Sequence, residues 1–172
     1  MLALIRVVLG ITVHRRGPDE LPSSPFLLLL MLGASQLIEL VALRLANVGE
    51  HDTLVMLAAT AMDFAFVWAV LALFERRQRF LQTMSAMLAA GVVLDVISAL
   101  LIAWHQALGA SADSVTVPQV LLQLLPVWSV DIGGFLLSRA LDRPYALAVV
   151  IMLGYVLLST SLIRTLLFSS SV

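Results

Sequence analysis

Four carboxylates stand in stretches that are otherwise apolar, and an acid in such surroundings is the first place to look for chemistry. Asp95 sits in MLAAGVVLDVISALLIAW, residues 87–104, and Glu39, Asp63 and Asp131 are set in three other apolar runs in the same way. An ionised aspartate at the centre of a membrane-spanning helix costs roughly 2.5–3.5 kcal/mol, so several left unpaired would cancel most of the ~5–15 kcal/mol that holds an ordinary fold together. Such acids must face inward and be paired, be uncharged, or bind something. In a structural arrangement, Arg164 reaches from the last apolar run to Glu39 or Asp95, and the remaining acids stay neutral. In a functional one, Glu39, Asp95, Asp63 and Asp131 form a descending series of proton or cation sites of the kind transporters carry. Gln36 lies one turn from Glu39 and Ser98 one turn from Asp95, but beyond Asp131 only Ser138 and arginines continue the ladder. The structural arrangement is therefore the expectation.

Other chemistries find less support. Asp63 and Asp131 could form an acid–base pair, yet AMDFAF and SVDIGG lack the Gly-x-Gly-Asp context of intramembrane aspartyl proteases. His51 and His105 have no partner at i+3 or i+4 to complete a ligand pair, and His14 stands with Arg15 and Arg16 in a basic cluster suited to lipid headgroups. There is no cysteine. No enzyme, metal or cofactor is expected.

The elements that position these residues follow from composition. The chain has 172 residues, 61% of them hydrophobic and 12% charged, with a mean hydropathy of +1.04, so its solvent is a bilayer. The fold class is all-α: a polytopic transmembrane helical bundle forming a single domain over residues 1–172. Apolar runs long enough to cross fall at about 25–48, 53–74, 80–108, 118–141 and 144–168, which makes five spans. Pro25, Pro118 and Pro144 open three of them, with Ser24 as an N-cap, while Pro126 lies inside the fourth. MLALIRVVLGITV is too short to span and is followed by basic residues, so residues 1–16 read as a short interfacial helix and not as a cleaved leader. Ala61, Ala65 and Ala69 on span 2, with Ser85, Ala86, Ala89 and Ala90 on span 3, predict a tight hairpin between those spans.

Every basic residue other than histidine is Arg, and all but Arg44 and Arg164 fall before span 1, between spans 2 and 3, or between spans 4 and 5. Cytoplasmic loops retain positive charge, so the N-terminus is expected inside and the C-terminus outside. The arginines form short clusters with no broad basic face, which argues against nucleic acid as a partner.

RFLQTMSAMLAAG, residues 79–91, and LPVWSVDIGGFLLSRAL, residues 125–141, resemble a group of proteobacterial multispanning inner-membrane proteins, loosely Yip1-like. The resemblance is carried by Arg79, Phe80, Gln82 and Thr83, then by Trp128, Arg139, Ala140 and Leu141. It implies a bacterial inner membrane and no enzymatic residues. Arg79, Gln82 and Thr83 also make a candidate partner surface where span 3 begins.

A chain with short loops has little room for a soluble active site. The expected function is a non-enzymatic accessory protein, a subunit or assembly factor docking against another integral membrane protein or a second copy, with lipids as its other partners. The alternative is a small proton- or cation-coupled transporter using the carboxylates. The threading has a direct check: a reporter fused after Arg77 should read as cytoplasmic and one fused after Val172 as exported, and a cytoplasmic signal from the second would overturn the topology.

Overall fold

The computed structural model describes residues 2–45, 51–109 and 115–168, and side chains over 5–45, 53–109 and 115–165. The ends of the two loops opposite the arginines, the tail, and the side chains of His51 and Asp52 lie outside the described residues. A short helix, α1 (Leu2–Thr12), is followed by five long ones: α2 (Pro25–Leu45), α3 (His51–Leu73), α4 (Phe80–Ala107), α5 (Val117–Leu141) and α6 (Tyr145–Phe168). No strand occurs among the described residues. The five long helices have mean hydropathies between 1.8 and 2.4, and the shortest apolar stretches, of 21 residues, extend about 31 Å, enough for a hydrocarbon core of about 30 Å.

Local chemistry sets the helix ends. Ser24 caps α2: its Oγ accepts from the Leu27 N–H at 3.4 Å, and Pro25 occupies the first position, where no N–H is needed. Pro118 stands at the second position of α5, within the first turn where its missing N–H is likewise not needed, and the helix runs on through Pro126 without ending. At the other ends, α1, α3 and α5 share one device. His14, Glu75 and Asp142 take left-handed φ values of 58°, 59° and 54°. In each case the next residue is an arginine whose N–H reaches back five residues: Arg15 to Gly10 O, Arg76 to Leu71 O and Arg143 to Ser138 O. These are helix-ending motifs of the kind that glycine ordinarily serves.

The same turns gather at one end of the bundle, and Arg79 ties two of them to α4. Its Nη1 donates to Arg139 O and Ala140 O, both at 3.0 Å, satisfying carbonyls at the end of α5. Its Nη2 lies 3.1 Å from Asp142, as does Arg76 Nη2. The hydrogen bond from Arg79 above all, and then the charges of Arg79, Arg76 and Arg139, hold the Asp142 carboxyl below the usual carboxylate range.

In the bundle, α4 is central, packing most extensively on α2 and then on α5, with lesser contacts to α3 and α1. Helix α6 lies outside, against α5 and α3. Small and hydroxyl-bearing residues stand among the large apolar ones of the interior, Thr83, Ser85 and Ala86 being fully buried along with Leu71, Met84 and Leu136. Phe26, Leu73 and Val127 are among the large apolar residues turned outward, as a lipid solvent allows.

One expectation needs correction. The predicted hairpin between α3 and α4 is not the close pair. Ser85, Ala86, Ala89 and Ala90 are buried, but Ala61, Ala65 and Ala69 of α3 are exposed, and the tight partner of α4 is α2. Helix α1 is docked on α4 and α5: Ile11, fully buried, packs in a cluster with Ala90, Leu94, Ile132 and Leu136.

The closest approach of α5 to α6 is made at Gly134, where a Cβ would come within 2.6 Å of Val149 Cγ2 and 3.2 Å of its Cα. Backbone cannot swing aside as a side chain can. Gly134→Ala should therefore cost about 1–3 kcal/mol in a denaturant titration of the detergent-solubilised protein, while Gly91→Ala, whose Cβ would meet nothing within 4 Å, should cost nothing.

Candidate functional site

Helical spacing places several polar residues on inward faces. On α2, Ser35 and Glu39 are one turn apart; on α3, so are Thr60 and Asp63; on α4, Met84, Leu88, Gly91 and Asp95 succeed one another at intervals of three or four. All of these line one cavity of about 310 Å³ between the helices, closed on its other sides by Ser129, Ile132 and Gly133 of α5 and by Met152 and Tyr155 of α6. Counted along the helices at 1.5 Å per residue, the acids lie about 15–22 Å from the arginine-rich end, in the middle and outer part of the span.

Three of the four intramembrane acids, Glu39, Asp63 and Asp95, thus converge from three helices on one space, and no Arg or His among the described residues lines it. Asp63 has a partner, since the Tyr155 hydroxyl donates to its Oδ1, and the Tyr155 ring stacks on Phe66 at 4.0 Å and 14°. Glu39 and Asp95 have no hydrogen bond or ion pair among the described residues. Ser35 lines the cavity at 7% exposure, and its hydroxyl also finds no partner among the described residues. Beside it, Gln36 Nε2 donates to Thr60 Oγ1 at 3.0 Å, while Gln36 Oε1 is buried without a donor. The site is an apolar chamber with an excess of acceptors. Among the described residues no three Asp, Glu or His side chains gather at metal-ligating spacing.

The expected pairing of Arg164 with Glu39 or Asp95 does not form. Arg164 is exposed on α6 and makes no ion pair among the described residues. Matching depth along the spans placed it level with those acids, but α6 packs on α5 and α3, away from α2. Asp131 also departs from the expected series. It is not on the cavity but accepts from the Tyr145 hydroxyl and lies 3.4 Å from His14 Nε2, while the His14 ring rests on Phe135 at 4.6 Å. His14, expected in a headgroup-facing cluster, instead joins the end of α1 to α5.

Arg79, Gln82 and Thr83 do come together, in a cleft of about 590 Å³ at the arginine-rich end. There they serve the protein itself: Gln82 Nε2 donates to Leu21 O at 2.9 Å, Thr83 is fully buried and donates to Arg79 O at 2.9 Å, and Arg79 holds α5. A buried Thr83 cannot form part of a partner surface, and the polar groups of this larger cleft are mostly engaged. His105 shares a hydrogen bond of 2.8 Å with Thr116, joining α4 to the start of α5.

Sequence reasoning missed Ser35, Thr60 and Tyr155. Tyr155 left one signal, because it and Asp63 lie at equal remove from the arginine-rich ends of their helices. No protein-family model, curated protein or solved structure matches the chain.

Among the described residues, the Tyr155–Asp63 bond is the one side-chain hydrogen bond that closes the wall between α6 and α3. Tyr155→Phe should lower stability by about 1–3 kcal/mol by leaving the carboxyl without its donor. Asp63→Asn, whose amide oxygen still accepts from Tyr155, should cost less in the same denaturation experiment; an equal or greater loss would show that the hydrogen bond is not what matters there.

Proposed function

We propose that the chain is a small cation-binding membrane carrier in which protons and cations exchange at Glu39 and Asp95, with Asp63 held beside them. One observation carries the reading: three acids from three helices share a cavity whose walls hold no basic residue among the described residues. Leaving three charges there uncompensated would cost roughly 7–10 kcal/mol on the insertion scale for single acids, so the carboxyls hold protons when the cavity is empty and give them up as a cation enters. Asp63, bonded to Tyr155, is the fixed member, while Glu39 and Asp95, without partners, are the exchanging pair. The distribution of arginines supports an orientation with the arginine-rich end cytoplasmic, and the resemblance to proteobacterial inner-membrane proteins supports the inner membrane of a bacterium as its place.

A second reading, an accessory protein docking against another membrane protein or its own copy, is supported by the exposed small-residue stripe Ala61, Ala65 and Ala69, a surface on which a second helix could approach closely.

The experiment that separates the two uses proteoliposomes with a pH-sensitive dye inside and an acidic lumen. Addition of sodium, potassium, tetramethylammonium or phenyltrimethylammonium outside should make the lumen alkaline as protons leave against one of them, and Glu39→Gln with Asp95→Asn should abolish the signal. Folded wild-type protein that moves no protons with any of the four would overturn the carrier reading in favour of the accessory one.

A further inference from the structure

The wall of the cavity says more about its occupant than the acids do. Between the carboxylates the lining is apolar and soft: Phe66, Met84, Met87, Leu94, Ile132 and Met152. A bare metal ion needs several oxygens at short range, and no such group is gathered here among the described residues. A small hydrophilic cation would bring its own water against methionine and leucine. The cavity's 310 Å³ is at the small end of the about 300–1,000 Å³ typical of sites for organic ligands, and the Phe66 and Tyr155 rings in its wall offer π-faces of the type that attract cations. Independently of the acids, the Ser35 hydroxyl is 7% exposed, lines the cavity and lacks a partner among the described residues, so a group the protein does not itself supply would satisfy it.

The routes of access agree. At the arginine-rich end, Arg79 and Gln82 tie α4 to the end of α5 and to Leu21. At the opposite end, Gln106 donates to Leu45 O and His105 bonds Thr116, tying α4 to α2 and to the start of α5. Helices α2 and α3, although consecutive, make no extensive packing contact, and beside the cavity they are joined by the Gln36–Thr60 hydrogen bond. The least tied side of the cavity faces the hydrocarbon, so what enters there must be soluble in it.

We infer that the cavity binds a lipophilic organic cation, an amine or quaternary ammonium on a compact apolar body, entering from the bilayer between α2 and α3. The charge lies against Glu39 and Asp95, and the body lies against the methionines and the Phe66–Tyr155 pair. This assignment rests on the carrier reading for its consequence, transport, but binding alone tests it.

Three probes separate its parts: phenyltrimethylammonium carries ring and charge, tetramethylammonium the charge alone, and tert-butylbenzene the same shape without charge. Titrated into the purified, detergent-solubilised protein and followed by calorimetry, phenyltrimethylammonium should bind at least about tenfold more tightly than either of the others. Glu39→Gln with Asp95→Asn should lose about the same factor. Gly91→Leu, placed where a Cβ meets nothing within 4 Å, should fill the chamber and abolish binding while the melting temperature is kept. Equal binding of tert-butylbenzene, preference for tetramethylammonium, or undiminished binding by the double variant would each overturn the assignment. Proton release on adding sodium or potassium, with no phenyltrimethylammonium binding, would sink the assignment and leave the carrier reading standing. Charge-selective binding of phenyltrimethylammonium without any proton movement would uphold the site and sink the carrier reading.

Discussion

Hydrocarbon gives two helices no reward for burying leucine against leucine, because lipid tails are as apolar as the side chains themselves. This constraint organises the whole bundle. Association must come from close approach and from polar bonds, and the structure uses each in its own place. Close approach is made by the buried small residues of α4 against α2 and by Gly134 of α5 against Val149. Polar bonds are concentrated at the two ends, in the Arg79 and Gln82 contacts on one side and the Gln106 and His105 contacts on the other. Midway along α2 and α3 there is no extensive packing and the Gln36–Thr60 hydrogen bond joins the two helices, and the chamber with its three acids lies there.

What the sequence discloses about such a protein is what is local. Span lengths, the Ser24 cap and the prolines at helix starts follow from a hydrocarbon thickness and from a missing N–H, and both act within a single helix. Neighbourhood is not local. Ala61, Ala65 and Ala69 on α3 have the same composition and spacing as the alanines of α4, yet one set faces outward and the other is buried. In water a hydrophobic stripe points at the core; in lipid every face is apolar and the pattern loses its direction. Depth matching failed for Arg164 for the same reason: it gives the height of a residue along its helix and says nothing about which helix stands opposite.

The site was half legible. That Glu39, Asp63 and Asp95 had to be accounted for follows from the cost of charge in hydrocarbon alone, and the structure brings all three together. That Asp131 would leave the series was not legible, because its partners, His14 and Tyr145, come from a docked helix that looked peripheral and from a residue just past a turn. The left-handed helix ends at His14, Glu75 and Asp142 were equally hidden, since glycine, the usual sequence mark of such an end, is absent from all three.

Four acids of similar setting in the sequence therefore have different fates, decided by what stands beside each. Asp131 is partly exposed and meets an imidazole and a phenol; Asp63 is held by Tyr155; Glu39 and Asp95 are left without partners. A change of charge state costs least where no existing bond must break, so it falls on that last pair. Both members are carried by α2 and α4, the most extensively packed pair of helices in the bundle, whereas the Phe66–Tyr155 wall belongs to α3 and α6. A cation between them would be attracted from one side by a tightly packed pair carrying the charge and bounded on the other by helices that approach α4 and α5 over smaller or glycine-spaced contacts.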